Sequence, residues 1–156
     1  MAWQEHEYYL KKCIELSKKA LESGNLPFGA ILVDSYGRII LEGANNERTE
    51  SDYTGHGEMV LIRKAAKLYS KDYLGCCTLY SNCEPCVMCA GAIYYSNVGR
   101  VVFAITDEMY REMTGDKSYP LMKMTSRDLF ANGGKKIETI GPFEQLTGEV
   151  IAAMKL

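Results

Sequence analysis

The spacing of apolar residues divides the first part of the chain into a helix followed by two extended segments. Residues 5–22 carry apolar side chains at the 3.6-residue period of an amphipathic helix, and Gly24 ends the pattern. The segments 27–34 and 38–45 are apolar runs separated by the short sequence SYG. Two such runs joined by a turn sequence predict a β-hairpin.

Beyond this hairpin and a polar loop, the pattern alternates between strands and helices, which predicts parallel pairing in the later part of the sheet. The predicted elements are a helix over 56–71, a strand over 76–81, a helix over 84–96, strands over 100–105 and 135–141, and a closing helix over 142–156. Residues 106–134 show no clear pattern. We therefore expect one domain over residues 1–156, of the α/β class, with a five-stranded mixed sheet in a three-layer α/β/α sandwich.

The composition is that of a globular chain and argues against several other classes of protein. Of the 156 residues, 47% are hydrophobic and 24% are charged, and the net charge is −2. No apolar run approaches the roughly 20 residues that a membrane-spanning helix needs. The N-terminal sequence lacks the basic start and apolar core of a signal peptide. We expect a cytoplasmic protein with no membrane partner and no general electrostatic attraction to nucleic acid.

Three of the six cysteines, Cys83, Cys86 and Cys89, recur at intervals of three residues. In a cytoplasmic chain such cysteines are thiols or metal ligands rather than a disulfide framework. Cys86 and Cys89 share one face of the predicted helix and can bind one ion together. An iron–sulfur cluster is an alternative, but the fourth cysteine followed by proline that such a run needs does not come after Cys89.

Of the two histidines, His56 opens the second predicted helix, whereas His6 is expected on the surface. A lone histidine at a helix start is most simply a cap, but with Cys86 and Cys89 it completes a set of three zinc ligands. Three protein ligands leave the fourth tetrahedral position for water, which is typical of a catalytic zinc site. Cys83 precedes the helix that carries the other two cysteines, so we expect it outside the coordination shell.

Glu58 follows His56 by two residues and can move protons beside such a site. Zinc lowers the pKa of its bound water toward about 7, and a nearby carboxylate can take that proton and deliver it to the substrate. This combination predicts the hydrolytic removal of an amino group. A simpler reading is that Glu58 only complements the positive end of its helix. A non-enzyme alternative is a structural zinc site closed by His56 and three cysteines.

The residues His56-Gly57-Glu58 and Pro85-Cys86-Val87-Met88-Cys89 resemble the paired H-x-E and P-C-x-x-C signature of the cytidine-deaminase-like zinc superfamily. The resemblance covers residues 5–105 well and fades toward the C-terminus. It implies the three-layer fold, a zinc cofactor bound by the histidine and two cysteines, and Glu58 as the catalytic residue. It also implies a homodimer with its active site near the subunit interface.

Within this superfamily, the segments PFGAILV and SNCEPCVMCAGAIYY resemble bacterial guanine deaminases and tRNA adenosine deaminases. By that resemblance, Asn45 contacts the base and Phe28 walls one face of it, although plain core packing is the alternative for Phe28. The Gly57 amide would meet a ring or carbonyl acceptor, and the backbone carbonyl near Glu84 would receive the departing amine.

Some positions depart from that pattern and leave the substrate open. Both families usually carry alanine where this chain has Gly57, and guanine-type enzymes usually show tryptophan where it has Tyr95. Fungal cytosine deaminases do carry His-Gly-Glu, but they also carry a C-terminal tryptophan, whereas the only tryptophan here is Trp3. We expect guanine or a related aminopurine as the substrate, with a cytosine-type base or nucleoside as the alternative and tRNA adenosine after it.

The expected partner is therefore a small nucleobase rather than tRNA. The chain lacks a basic C-terminal tail that could follow a phosphate backbone, and its closing helix carries Glu144 and Glu149 against Lys155. The uninterpreted segment after the fourth strand is expected to carry specificity. There, Asp107 or Glu108 could read an amino group of the base, or both could be solvated loop acids.

Overall fold

The computed structural model describes residues 3–155, which form five strands, seven α-helices and one short 3-10 helix. In chain order the elements are α1 (Trp3–Glu22), β1 (Gly29–Val33), β2 (Ile39–Ala44), α2 (Gly57–Leu68), α3 (Lys71–Leu74), β3 (Thr78–Cys83), α4 (Val87–Ser96), β4 (Arg100–Ile105), α5 (Asp107–Thr114), α6 (Ser126–Ala131), β5 (Glu138–Ile140), the 3-10 helix (Glu144–Leu146) and α7 (Thr147–Ala153). Leu156, the expected end of the closing helix, lies outside the described residues.

The five strands form one mixed sheet in the order β2-β1-β3-β4-β5. Strand β1 pairs antiparallel with both β2 and β3, so the predicted hairpin is confirmed. Strands β3, β4 and β5 are parallel to one another, as the alternation of strands and helices predicts.

Two hydrophobic cores lie on opposite faces of the sheet, which confirms the three-layer sandwich. One core joins α1 and α7 to the sheet, and its fully buried members include Leu10, Tyr80 and Val150. The other joins α2 and α4 to the opposite face and includes Leu61 and Ile93. Within residues 3–155, no helix combines the length and the apolar character needed to cross a membrane.

Several parts of the chain differ from the predicted elements: the strand predicted over 76–81 is β3, two residues later, and the closing helix predicted over 142–156 is a 3-10 helix followed by α7. The segment 106–134 contains α5 and α6, both begun by a threonine whose side chain accepts a hydrogen bond from the first helical turn. The helix predicted over 84–96 begins only at Val87, because Cys86 has an extended backbone and acts as its N-cap.

His6 is buried, so the expectation that it lies on the surface is wrong. Its side chain is 3% exposed, and its Nδ1 lies 2.9 Å from the Tyr80 hydroxyl in the middle of the sheet. Helix α1 begins at Trp3, so His6 shares a helix face with Leu10 and Cys13, which are also buried. Leu10 and Cys13 follow His6 by four and seven residues, which puts all three on one helix face. This spacing could have predicted that His6 is buried.

Candidate active site

Strand β1 begins, and strands β2, β3 and β4 end, at the same edge of the sheet. The register pairs Gly29 at the start of β1 with Ala44 at the end of β2, and Ala30 with Ser81 near the end of β3. Cys83 is in turn paired with Ile105 at the end of β4. The residues that follow or precede these ends therefore meet at one edge, where ligands commonly bind in α/β sheets.

Close contact of glycine backbones fixes the start of α2 against β1 and β2. A Cβ atom on Gly43 would overlap the carbonyl oxygen of Gly57 and would come within 2.9 Å of the Leu61 Cβ. A Cβ atom on Gly57 would lie 3.0 Å from the Gly43 carbonyl oxygen. The missing side chains let the first turn of α2, which carries His56 and Glu58, lie directly on the sheet.

The side chains of His56, Cys86 and Cys89 converge at the starts of α2 and α4. His56 Nδ1 lies 3.6 Å from Cys86 Sγ and 3.5 Å from Cys89 Sγ. Tetrahedral zinc with ordinary Zn–N and Zn–S bonds would separate such N and S atoms by about 3.6 Å. The three donor atoms, all within 4.8 Å of one another, therefore fit a zinc ion.

Cys83 lies apart from these donors. It ends β3 and packs into the core on the α1 side of the sheet, where burial raises the pKa of its thiol. A site closed by four protein ligands would need Cys83, which this packing directs away from the group formed by His56, Cys86 and Cys89.

Glu58 is buried beside the cysteines at the start of α2. Its side chain is 5% exposed, and burial raises the pKa of its carboxyl group. Cys89 hydrogen-bonds to that carboxyl group, and a hydrogen bond with Cys89 also lowers the pKa of Cys86 to about 4. A carboxyl group with a raised pKa holds a proton more readily than a solvated one, which suits a group that takes up and returns protons, and a thiolate is the form of cysteine that binds metal.

Asn45 follows β2 and is 2% exposed. Its Oδ1 accepts a hydrogen bond of 3.0 Å from the backbone N–H of Glu47, and its Nδ2 lies 3.5 Å from Glu47 Oε2. The same Oε2 lies 3.9 Å from His56 Nε2. Glu47 was not among the predicted site residues. Its acidic side chain, two positions after Asn45, was the only feature of the sequence that could have predicted a role for it.

Of the remaining predicted site residues, Phe28 and Glu84 contact the segment after β4, whereas Gly57 lies against β1 and β2. Phe28 is half-buried, and its ring lies 5.4 Å from the ring of Tyr110 in α5. Glu84 donates its backbone N–H to Ile105 and accepts a hydrogen bond from the Ser126 hydroxyl. The Gly57 amide is in the first turn of α2, where backbone N–H groups have no partner within the helix.

The two acids that begin α5 have different surroundings. Asp107 forms an ion pair of 2.9 Å with Arg111, one helical turn away, whereas Glu108 is exposed. The carboxylate of Asp107 is thus already engaged within its own helix.

The region that contains the candidate site is similar in sequence to a known protein family. A family model described as the cytidine and deoxycytidylate deaminase zinc-binding region matches residues 3–105. The matched region includes His56, Glu58, Cys86 and Cys89.

Relatives that differ in substrate match the chain at similar levels of identity. A probable cytosine deaminase of Schizosaccharomyces pombe is 34% identical over 139 residues, covering 86% of this chain and 82% of that protein. The guanine deaminase of Bacillus subtilis is 41% identical over 115 residues, or 73% of each chain. A tRNA-specific adenosine deaminase of Bacillus subtilis is 36% identical over 147 residues, covering 94% of this chain and 86% of that protein.

Among solved structures, the X-ray structure of the guanine deaminase from Bacillus subtilis has the same fold. It is 33% identical in sequence with a TM-score of 0.64, and the match covers 92% of this chain and 90% of that one.

Proposed function

Because the chain belongs to the zinc-dependent cytidine and deoxycytidylate deaminase family, we propose that it deaminates a free nucleobase, with guanine or a related aminopurine as the substrate. The observation that carries the chemistry is the buried Glu58 beside three convergent donor atoms that fit zinc. Three protein donors leave one tetrahedral position for water, as hydrolysis requires.

Glu58 is the catalytic residue of this proposal. The chemistry that a bound zinc ion supplies in such a site is activation of water as a nucleophile at neutral pH. Glu58 would take one proton from the water and deliver it to a ring nitrogen of the base as the C–O bond forms. As the C–N bond breaks, Glu58 would pass the proton of the new hydroxyl group to the amino group, which leaves as ammonia, and a carbonyl group remains on the base.

The base is held by groups that converge on the same sheet edge. Asn45 is buried with its Oδ1 engaged by the backbone and one N–H of its Nδ2 directed at Glu47 Oε2, so the second N–H of Nδ2 can donate toward a ligand. Phe28 supplies an apolar wall backed by Tyr110. The Gly57 amide donates to an acceptor of the base, and the backbone carbonyl near Glu84 receives the departing amine.

The charges around the site favour a small base over tRNA. The carboxylates of Glu47 and Glu84 both lie next to candidate site residues. A phosphate backbone brought to the same edge would be repelled by these groups, whereas a neutral base would not.

A cytosine-type substrate is the second candidate, favoured by two observations. The chain has Gly57 between the zinc histidine and the glutamate, as fungal cytosine deaminases do, and the match to the yeast relative extends over 86% of the chain. Gly57 also leaves the sheet and α2 in closer contact than an alanine would allow.

An ammonia-release assay of the zinc-loaded protein tests this assignment. Guanine, 2,6-diaminopurine, cytosine, cytidine and an adenosine-containing tRNA anticodon stem-loop are compared at equal concentration, with Glu58→Gln as the inactive control. We expect turnover of guanine or the related aminopurine, little of the stem-loop, and weak dependence of kcat/KM on salt. Turnover of cytosine with none of guanine would move the protein to the second candidate.

We also propose a homodimer formed through α4. Met88, Gly91, Ala92 and Tyr95 occupy one stripe of this helix at helical spacing, and none of them is buried. Tyr95 is 76% exposed, and a Cβ atom on Gly91 would meet no other atom within 4 Å. An apolar stripe of this kind next to the site is suited to contact with a second copy of the chain.

A further inference from the structure

The two nitrogens of the His56 ring face different groups. Nδ1 faces the sulfur atoms of Cys86 and Cys89 at 3.6 and 3.5 Å. Nε2 faces the carboxylate of Glu47, with 3.9 Å between Nε2 and Oε2. This separation is within the range of an ion pair but longer than a hydrogen bond, so a small movement of the Glu47 side chain would bring its carboxylate to hydrogen-bond distance of Nε2.

The backbone holds Glu47 in place from both sides. Its N–H donates to Asn45 Oδ1 at 3.0 Å, and its carbonyl oxygen accepts from the N–H of Asp52 at 2.9 Å. Its side chain is 19% exposed. The carboxylate is thus brought to the rim of the site by a loop whose conformation is fixed by hydrogen bonds.

We propose that Glu47 is a positioning residue that holds the imidazole of His56 with its proton on Nε2 and its lone pair on Nδ1, directed at the metal. Histidines that bind metal commonly donate their other N–H to a carboxylate, which fixes the tautomer and makes the ring a stronger ligand. The proposal rests on the zinc site described above and is independent of which base is the substrate.

The same carboxylate oxygen also faces the amide of Asn45. Oε2 lies 3.5 Å from Asn45 Nδ2 and 3.9 Å from His56 Nε2, so one atom contacts both the proposed anchor of the base and the proposed zinc ligand. Removal of Glu47 therefore changes two properties together. Zinc affinity falls because His56 loses its partner, and KM rises because Asn45 Nδ2 loses its contact with the carboxylate while its Oδ1 stays bonded to the backbone N–H of residue 47.

A role for Glu47 in proton transfer would produce a different result. Glutamine cannot take up a proton as a base, but its amide oxygen still accepts from Nε2–H. A positioning role therefore predicts that Glu47→Gln keeps most of the zinc affinity and of kcat. A proton-transfer role predicts that Glu47→Gln retains zinc but loses kcat as Glu47→Ala does.

The first test measures zinc affinity in the full-length protein without substrate, by competition with a chromophoric chelator. Glu47→Ala is expected to weaken zinc binding by about 10- to 100-fold, and Glu47→Gln by only a few-fold. Glu50→Ala, an exposed acid in the same loop, is the matched control and should bind zinc as the unchanged protein does. Thermal unfolding of each apo-protein reports whether the variant is folded.

The second readout is the ¹⁵N NMR spectrum of the His56 ring in the zinc-loaded protein. A protonated Nε2 is expected in the unchanged protein, and a shift or exchange broadening of its signal in Glu47→Ala. Zinc affinity within twofold of the unchanged protein and an unaltered Nε2 signal in Glu47→Ala would overturn the proposal. If Glu47→Ala does not fold, unaltered affinity and an unaltered Nε2 signal in Glu47→Gln would overturn it. Zinc binding without turnover of any purine would refute the substrate assignment and leave this proposal standing.

Discussion

Ser126 donates a hydrogen bond of 2.7 Å to the carboxylate of Glu84, which lies 42 residues earlier in the chain. Ser126 is fully buried at the start of α6, and Glu84 lies between β3 and Cys86. The bond joins the segment between β4 and β5 to the loop that leads into the candidate active site. Helix α6 is thereby held against the part of the chain that carries two of the three convergent donor side chains.

Ser126→Ala should weaken this connection. Loss of the hydroxyl leaves the half-buried Glu84 carboxylate without a partner, which costs about 1–3 kcal/mol of unfolding free energy. Urea titration followed by circular dichroism measures the loss, and kcat/KM is expected to fall as well. Ser118→Ala, at an exposed position of the same segment, is the control. Equal unfolding free energies for the two variants would contradict the prediction.

Cys86→Ser and Cys83→Ser should have opposite effects on zinc content. Cys86 is one of three convergent donors, so its substitution is expected to remove the zinc ion from the purified protein. Cys83 packs in the core, so its substitution should keep one zinc ion per chain and lower stability only. Inductively coupled plasma mass spectrometry measures both. Loss of zinc in Cys83→Ser would indicate a closed site with four protein ligands.

Glu58→Gln should retain zinc and lose nearly all turnover. Groups that transfer protons contribute about 10²- to 10⁴-fold to rate, and one residue that serves several transfers should lie at the upper end. Zinc content and kcat are measured on the same sample. Retention of a tenth of the activity would mean that another group moves the protons.

The buried His6 should make stability depend on pH. Burial lowers the pKa of His6 below the ordinary histidine value of about 6.5, with a further lowering by Arg100 and opposing effects of Glu5 and Glu138. The folded state therefore favours the neutral imidazole. Its contribution to stability is complete above pH 6.5 and is lost as the pH falls through the lowered pKa of the folded state.

Unfolding free energies measured between pH 8 and pH 5 test this dependence. The unfolding free energy should decrease less on acidification in His6→Asn than in the unchanged protein. The asparagine side chain can still bond to Tyr80 but does not titrate in this range. An identical decrease in both proteins would assign the pH dependence to other groups.

Tyr95→Glu should disrupt the proposed dimer. A carboxylate on the exposed stripe of α4 would have to be buried in an interface, which is unfavourable without a partner. Light scattering after size-exclusion chromatography is expected to give a monomer mass for Tyr95→Glu. Tyr36→Glu, on the exposed β1–β2 turn, should keep the dimer mass. A monomer mass for the unchanged protein would refute the dimer itself.

The convergence of His56, Cys86 and Cys89 could be predicted from the sequence because each position follows from a local rule. Cys86 and Cys89 are three residues apart at a helix start, and His56 directly precedes the first turn of α2. Glu47 could not be predicted, because its carboxylate reaches His56 through the shape of a loop. That shape depends on hydrogen bonds such as the one from the Asp52 N–H to the Glu47 carbonyl oxygen, which no hydrophobic period describes.

The segment after β4 could not be interpreted for a similar reason. Helices α5 and α6 are eight and six residues long, and each buries only one or two side chains, so the segment lacks an apolar pattern long enough to indicate a helix. Their positions depend on contacts with distant parts of the chain, such as Tyr110 with Phe28. Strand β4, by contrast, is buried over nearly its whole length, and its predicted bounds are confirmed.

The lengths of the two edge strands bear on aggregation of the protein. Strand β5 spans only three residues and begins with a glutamate, so it offers few backbone groups to a strand of another molecule. Strand β2, at the other edge, spans six residues, but Lys64 donates its ammonium group to the Glu42 carbonyl oxygen at 2.8 Å. A lysine that occupies an edge carbonyl and leaves a charge there hinders the addition of a further strand. The two outer strands of the sheet, β2 and β5, are thus protected against the β-pairing that leads to fibrils.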